Sequence, residues 1–480
     1  MTGHIDSARV SYSEARRTHW DEVARRADNR PGLGGYYHRR LRELYRLNVP
    51  PGLRVLELGC GQGDLLAAVE PAMGVGVDLS PEMVERGKKK HPELQFICAD
   101  ALDVELNQTF DVILLCDLVN DVWDVQKLFE QVRRFSKPTT RVVMNYFSRL
   151  WELPLALARN LGMAQPLQRP NWLATEDIEN LLYLVGYGVI RRSTEVLWPI
   201  GIPGLAGLCN KYLVRLWPFN QLAVANLLVA RPLPDPTEAA EKLSVSVIVP
   251  ARNEEGNVPA IMARMPELGS GTEIIFVEGH SSDDTYGAIE REIAANPQRN
   301  CKLFRQTGKG KGDAVRLGFA QASGDVLMIL DADLTMPPEE LYRYYDVLAT
   351  GKAEFANGVR LVYPMEKQAM QFLNLLGNKF FSVAFSWLLG QPVKDTLCGT
   401  KVLRKSAYEM IAANRAYFGD FDPFGDFDLL FGAAKLNLKI VDIPIRYRER
   451  TYGTTNIQRW KHGLLLLQMT AFAARRIKFV

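Results

Sequence analysis

A chain of 480 residues with 58 Lys and Arg against 55 Asp and Glu is too long for one ordinary domain and predicts two or three. Its 47% hydrophobic and 10% aromatic content excludes a disordered or fibrous chain, and a net charge of +3 gives no case for nucleic acid. The charge is uneven: residues 446–480 hold eight Lys and Arg against Glu449, 8 − 1 = +7, so an anionic ligand or a membrane surface is expected there. Six cysteines lie far apart with no CxxC pair, which excludes a disulfide framework or a zinc ribbon and leaves a reducing cytosol as the plain setting. The first residues, MTGHIDSARVSYSEARR, are charged and lack an apolar core, so no signal peptide is expected. No stretch of about 18 apolar residues is free of charge, so no membrane-spanning helix is expected either.

In chain order, a helix is predicted over Glu14–Ala27, then strands at Arg54–Leu58, Gly74–Asp78, Leu94–Cys98, Phe110–Leu115, Arg141–Tyr146, Gly188–Leu197 and Ala225–Ala230. Residues 150–172 and 198–222 are rich in Trp, Pro, Leu and Gly and fit neither the helical nor the strand period. Pro232, Pro234 and Pro236 then mark a linker, because alternate prolines can continue neither a helix nor an inner strand. The alternation of strands and helices restarts beyond it, with strands at Ser244–Pro250, Glu273–Glu278, Lys302–Arg305, Val326–Leu330 and Glu354–Asn357. This is the pattern of parallel sheets covered by helices. Two α/β domains are expected, 1–231 and 244–480, joined by 232–243.

The first strand runs into Gly59-Cys-Gly61-Gln-Gly63. Glycines let the backbone pass close under a ligand, and the next helix offers its first amides. The second strand ends in Asp78, placed to accept from ribose hydroxyls, and the third in Asp100-Ala101 at the same sheet edge. Residues 35–147 resemble the class I S-adenosylmethionine-dependent methyltransferases, with looser similarity to 231. The resemblance implies a Rossmann-like sheet in which Glu57, Gly59, Gly61 and Gly63 lie under the methionine part of the cofactor. It also implies that Asp78 binds the ribose, that Asp100 and Ala101 meet the adenine, and that Phe110–Asp117 lies beside the sulfonium. The Glu14–Ala27 helix and Tyr36-Tyr37-His38 would form a lid. His19, His38 and Asp117 are candidate bases against an acceptor hydroxyl, with a structural role as the plainer reading. The methyl acceptor is not named by the sequence.

The second domain opens with an apolar strand leading to Pro250-Ala-Arg252-Asn253-Glu254. Glu278-Gly279-His280-Ser281, Gly308-Lys-Gly-Lys311 and Asp331-Ala-Asp333 follow, the last at the end of an apolar strand. Residues i and i+2 of a strand share a side. Two carboxylates so placed suit a divalent cation, Mg²⁺ or Mn²⁺, completed by a substrate diphosphate. The set resembles family 2 glycosyltransferases of the GT-A fold, nearest to the polyprenyl-phosphate sugar synthases. Asp395-Thr-Leu-Cys398-Gly399-Thr-Lys401, Gly425-Asp426-Phe-Asp428 and Arg450-Thr-Tyr-Gly453 carry the resemblance further. It implies that Pro250, Arg252, Asn253 and Glu254 hold base and ribose, with Glu278 in place of an Asp that contacts the base. Lys311 would neighbour the diphosphate, Asp331 would also meet the nucleotide sugar, and Asp331 with Asp333 would bind the metal. Two departures stand out. Glu278-Gly279-His280-Ser281 replaces Asp-Asp-Gly-Ser, leaving the base open, and Gly453-Thr454-Thr455-Asn456 replaces Gly-x-Ser-Lys, removing a phosphate-binding Lys for which Arg448 or Arg450 would substitute. Asp426 and Asp428 are candidate bases for a hydroxyl acceptor, or else an acidic pair at a helix start.

Residues 370–389 and 463–479 are long and apolar, but Lys379 and the Asn residues in the first, and Gln468 and Arg475-Arg476 in the second, fit helices lying in a bilayer surface better than spans. The alternative is helices packed on the sheet or on the partner of a homodimer. The expected whole is a bifunctional transferase peripheral to the cytoplasmic face of a membrane. It would carry sugar from a nucleotide sugar to a lipid-linked acceptor, and methyl from S-adenosylmethionine to a related substrate. The alternatives are a soluble sugar or secondary metabolite as acceptor, or a scaffold that only binds ligands.

Overall fold

The computed structural model describes residues 2–26, 35–160, 168, 170–235, 237, 240–360, 362, 372–415, 426–448, 450, 452 and 459–479, with backbone alone at 2–6, 26, 158–160, 372–376, 426 and 459–463. They form two compact units, Met1–Leu233 and Pro234–Lys478, each with its own seven-stranded sheet.

The first unit begins with α1 (Thr2–Arg26) and α2 (Gly35–Asn48), then β1 (Arg54–Leu58), α3 (Asp64–Ala68), β2 (Met73–Asp78), α4 (Pro81–Lys90) and β3 (Gln95–Cys98). After these come β4 (Phe110–Cys116), α5 (Val125–Arg134), β5 (Ser136–Phe147), α6 (Glu152–Asn160), α7 (Thr175–Leu184), β6 (Tyr187–Glu195), a single turn α8 (Leu205–Gly207) and β7 (Ala225–Pro232). The strand order is β3-β2-β1-β4-β5-β7-β6. Strand neighbours send alternate side chains to opposite faces: Leu56 and Leu58 enter one buried cluster, Val55 the other. Each such fully buried aliphatic side chain contributes about 1.5–3 kcal/mol. Helices start where polar side chains accept free amides: Ser80 Oγ from Met83 N at 3.1 Å before α4, Asp124 Oδ1 from Lys127 N at 3.0 Å before α5. Because the chain reverses its direction of travel across the sheet between β1 and β4, the crevice for a ligand opens at their carboxyl ends.

The second unit runs β8 (Val245–Ala251), α9 (Val258–Arg264), β9 (Thr272–Glu278), α10 (Thr285–Ala295), β10 (Asn300–Arg305), α11 (Lys311–Gln321), β11 (Val326–Ile329) and α12 (Leu341–Ala349). It continues with β12 (Phe355–Val359), α13 (Phe372–Leu389), β13 (Lys401–Arg404), α14 (Lys405–Ala413), α15 (Asp426–Lys435), β14 (Ile440–Pro444) and α16 (Arg459–Ala473). Its order is β10-β9-β8-β11-β13-β12-β14. Val247 and Val249 pack with α9 and α12 on one face, Ile248 with α11 and α13 on the other.

Three expectations need correction. The sheets are mixed rather than parallel: β7 runs antiparallel to β5 and β6, and β13 antiparallel to β11 and β12. The sequence does not show β13, because Lys401 stands in it fully buried, its ammonium donating to the carbonyl of Cys398. Lastly, α13 is not wholly a surface helix: Phe381, Phe385, Leu388 and Leu389 enter the core, while Phe380, Val383 and Trp387 stay exposed. No described helix is long and apolar enough to cross a membrane.

Candidate functional sites

In the first unit the turn after β1 carries Gly59, Gly61 and Gly63, all with positive φ, which other residues adopt at a cost. A Cβ on Gly63 would lie 2.6 Å from the Phe96 ring, so that position is closed to any side chain. Asp78, at the end of β2, receives Gly61 N at 2.7 Å and Ser80 N at 2.9 Å, and so fixes the turn it faces. Burial raises its carboxyl above the ordinary value, with these bonds working the other way. Asp100 Oδ1 accepts from Leu102 N at 2.9 Å, and Ala101 is buried beside it. Glu57 lies beneath the turn, 2% exposed, where burial pushes its carboxyl well up and the amide of Leu66 opposes the shift. It braces the start of α3 from below.

Helix α1 docks on this edge through one polar stripe. Ser13 donates to Asp100 at 2.9 Å, Arg16 Nε to Asp121 at 3.0 Å, and Trp20 Nε1 to Asp121 at 2.8 Å; Asp21 accepts from Ser80. His19 stands in the same helix against the ring of Trp20. From α2, Tyr37 donates to Asp117 Oδ1 at 2.9 Å, and Asn145 Nδ2 binds the same oxygen. Burial raises the Asp117 carboxyl, with the charge of His38 opposing. Asp117 therefore ties α2 to the ends of β4 and β5, and Tyr37 and Phe147 stack at 6.1 Å beside it. The closed glycine cradle and the two carboxylates at one sheet edge fit a nucleoside with a flexible charged tail, as S-adenosylmethionine has.

In the second unit, two loops converge at the ends of β8 and β9. Asn253, in the left-handed region, accepts from Ser282 N at 2.7 Å, and its own amide donates to Ser281 Oγ at 3.1 Å. Pro250 and Arg252 precede it. Glu278 turns into its own loop: Ser281 N donates to Oε1, and Arg305 lies 3.4 Å from Oε2. Burial alone would raise this carboxyl, but the bonds from Ser281 and His280 and the charge of Arg305 hold it below its ordinary value.

Asp331 and Asp333 do not sit on a strand. β11 ends at Ile329, and the pair lies in the turn beyond it. Each carboxylate faces a different cation. Lys311, in the first turn of α11, reaches Asp331 Oδ1 at 2.6 Å; Arg450 Nη2 reaches Asp333 Oδ2 at 2.6 Å. Arg450 also meets Glu254 Oε1 at 3.3 Å. Burial would raise Asp331, yet Lys311, Lys401 and Arg360 hold it below the usual carboxylate range. Glu254 goes the other way: burial, with Asp333 and Asp331 nearby, raises it to about 7 despite Asn257 and Arg450.

A Cβ on Gly399 would overlap both the Asp331 carboxylate and the Lys311 ammonium, so the turn before β13 closes directly on that pair. That turn is held by Asp395, which receives Arg360 through two bonds of 2.7 and 2.9 Å.

Asp428 pairs with Arg415 at 2.8 Å. The structure gives it a partner just after α14. Asp426 begins α15, with its side chain outside the described residues, as are Gly425 and Gly453–Asn456.

Among the described residues no three His, Cys, Asp or Glu side chains converge as a complete metal cage. Two hard carboxylates fit Mg²⁺ or Mn²⁺ if the remaining oxygens come from a diphosphate and water.

Residues 246–411 match the family model described as Glycosyl transferase family 2, and residues 50–182 match one described as Methyltransferase domain. Among curated relatives, the chain is 29% identical over 230 residues to a polyprenol monophosphomannose synthase of Mycolicibacterium smegmatis, covering 46% of this chain and 84% of that protein. It is 29% identical over 222 residues to a dolichol-phosphate mannosyltransferase of Pyrococcus furiosus, covering 45% of this chain and 60% of that protein. A third, an undecaprenyl-phosphate 4-deoxy-4-formamido-L-arabinose transferase of Pectobacterium carotovorum, is 36% identical over 224 residues, covering 44% of this chain and 62% of that protein. The chain thus spans less than two thirds of the latter two. A solved S-adenosylmethionine dependent methyltransferase from Mesorhizobium loti aligns with 42% of this chain and all of its own, at 20% identity and a TM-score of 0.31.

Proposed function

From a chain that carries both a methyltransferase domain and a family 2 glycosyl transferase domain, we infer a bifunctional transferase. The second unit moves a sugar from a nucleotide sugar to a polyprenyl-phosphate-like lipid. The first methylates a related substrate with S-adenosylmethionine. The observation that carries the sugar-transfer reading is the charge arrangement at the sheet edge: Asp331 and Asp333 beside Lys311 and Arg450, under the loops from β8 and β9.

In this reading Asn253, Arg252 and the end of β8 orient the nucleoside, and Asp331 and Asp333 hold a Mg²⁺ or Mn²⁺ ion. When bound, that ion supplies positive charge to the leaving diphosphate. Lys311 and Arg450 add fixed positive charge at the same place, where charge develops as the glycosidic bond breaks. The acceptor attacks from the opposite face, giving inversion. A lipid phosphate is already an anion and needs no base, which agrees with Asp428 being engaged by Arg415. In the first unit, the Gly59–Gly63 turn, Asp78, Asp100 and Ala101 hold the cofactor, with α1 as the cover.

Membrane contact in the second unit is supported by Phe380, Val383 and Trp387 on α13 and Leu464 and Leu467 on α16, all exposed. Lys478 lies 5.2 Å from the Trp387 ring and Arg476 5.6 Å from Phe472, so cations border the apolar side. This fits a peripheral enzyme on the cytoplasmic face. The test is transfer of labelled sugar from a panel of nucleotide sugars, with Mn²⁺, to polyprenyl phosphate in detergent or to water-soluble sugars. Label in the organic phase, lost on adding a chelator, supports the reading. Label confined to soluble sugars overturns the lipid acceptor, and chelator-insensitive transfer overturns the metal.

A further inference from the structure

The two segments of the first unit that fit no period, 150–172 and 198–222, leave the sheet at one place. β5 ends at Phe147, which pairs with Ala225 at the start of β7, and Glu195 at the end of β6 pairs with the same residue. β5 is parallel to β4, and β4 to β1. Both segments therefore emerge at the carboxyl edge, the edge that carries the Gly59–Gly63 turn. They are joined there: Trp151 Nε1 donates to Leu222 O at 2.9 Å, and Ser148 N to Val224 O at 2.8 Å.

What they expose is apolar. Leu150, Leu153 and Leu157 follow helical spacing and are 65%, 81% and 61% exposed. Leu208, Leu222 and Trp217 are 51%, 56% and 80% exposed on the neighbouring segment. Among the described residues none covers these side chains, and large apolar side chains exposed together on two joined segments mark an interaction surface rather than scattered surface residues. Its charge names the partner. Residues 149–157 hold Arg149 against Glu152, and residues 198–222 hold Lys211 and Arg215 with no acid. Arg215 is taken by Glu195 at 2.6 Å, so among the described side chains Arg149 and Lys211, against the one acid Glu152, lie on the segments that carry the apolar side chains. Leu and Trp on an apolar side with Arg and Lys at its border suit the headgroup layer of an anionic bilayer.

We propose that the first unit has its own bilayer-docking face, formed by the 150–157 stripe and the 202–222 segment, at the edge where its cofactor turn lies. It is distinct from the α13 and α16 face of the second unit. A methyl acceptor reaching that edge arrives from the lipid side. That consequence rests on the reading of this unit as a methyltransferase, whereas the docking itself does not.

The experiment uses the full chain and vesicles of phosphatidylcholine with or without phosphatidylglycerol. Flotation is compared for wild type, Leu153→Glu with Trp217→Ser, and a Phe380→Glu, Val383→Glu variant of the other face. The expected result is at least about a tenfold loss of partitioning to anionic vesicles in the first double variant, with further loss when both pairs are combined. Brominated acyl chains should quench wild-type fluorescence more than that of Trp217→Phe. Unchanged melting and unchanged S-adenosylmethionine binding show that the fold is kept, and single Leu153→Gln serves if the double variant does not fold. Wild-type flotation in the first variant, or equal quenching with and without Trp217, overturns the proposal. A vesicle-free dimer that the same substitutions convert to monomer also overturns it, because a second copy of the chain then covers the face.

Discussion

In the proposed sugar transfer, Asp333 is the residue on which most of the chemistry converges. Its Oδ1 accepts from Thr335 N and Oγ1, while Oδ2 faces Arg450. Asp333→Asn preserves the first set and removes the charge. Loss of one preorganised electrostatic contact lowers a rate about 10²–10³-fold, so transfer should fall by that factor with little change in melting temperature, measured across a Mn²⁺ titration. Wild-type rates would remove this pair from the mechanism. Glu254 gives a pH prediction. Its carboxyl is raised from 4.5 to about 7 by burial, so the folded state binds more protons than the unfolded state between those values. The sign follows: this group's contribution to stability is greatest below about 4.5 and is lost as pH rises through about 7. Glu254→Gln should flatten the decline, seen as a smaller melting-temperature difference between pH 5 and pH 8 than in wild type. An equal or larger difference would show that Glu254 titrates normally. The sequence exposed these acids through their motifs. It did not expose their pairing, because Lys311, Arg450 and Gly399 reach them from three separate parts of the chain.

At the scale of elements, helix α1 shows a signal that the sequence carried and the motifs hid. Arg9, Ser13, Arg16 and Trp20 recur at helical spacing, and all four end on Asp100 or Asp121. This polar stripe docks α1 on the sheet edge beside the Tyr12–Trp123 ring contact. Arg16, 7% exposed in its side chain, is the central link. Losing a charge-assisted bond of this kind costs about 1.5–3 kcal/mol. Arg16→Ala should therefore speed hydrogen exchange across residues 7–25 roughly tenfold or more, with β1 and β4 unaffected, and weaken cofactor binding. Unchanged exchange in α1 would mean the lid is held elsewhere. The strands were legible wherever apolar runs were continuous, as in β4 and β8. β13 and β14 were not, because Lys401 is buried in one and Asp442 interrupts the other, bonded to Asn357 at 2.8 Å.

For the whole molecule, two units with separate cores predict separable functions. Asp78→Ala removes the acceptor for Gly61 N and the carboxylate at the ribose position, so calorimetry should show S-adenosylmethionine affinity lowered by a factor of ten or more, while sugar transfer stays at the wild-type rate. An unchanged dissociation constant would remove Asp78 from the site. The sequence by itself determined the two α/β units, the glycine turn after β1, the acids at the strand ends and the nucleotide-sugar motifs. These depend on local spacing and on continuous apolar runs, which are written in neighbouring residues. Only the tertiary structure decided that the sheets are mixed, that Asp331 and Asp333 lie in a turn and face different cations, that Asp428 is engaged by Arg415, and that the segments after β5 and β6 are joined where Trp151 bonds Leu222. Each of these joins residues far apart in the chain, and strand direction, ion pairing and exposure are set by packing between elements rather than by the spacing within any one of them.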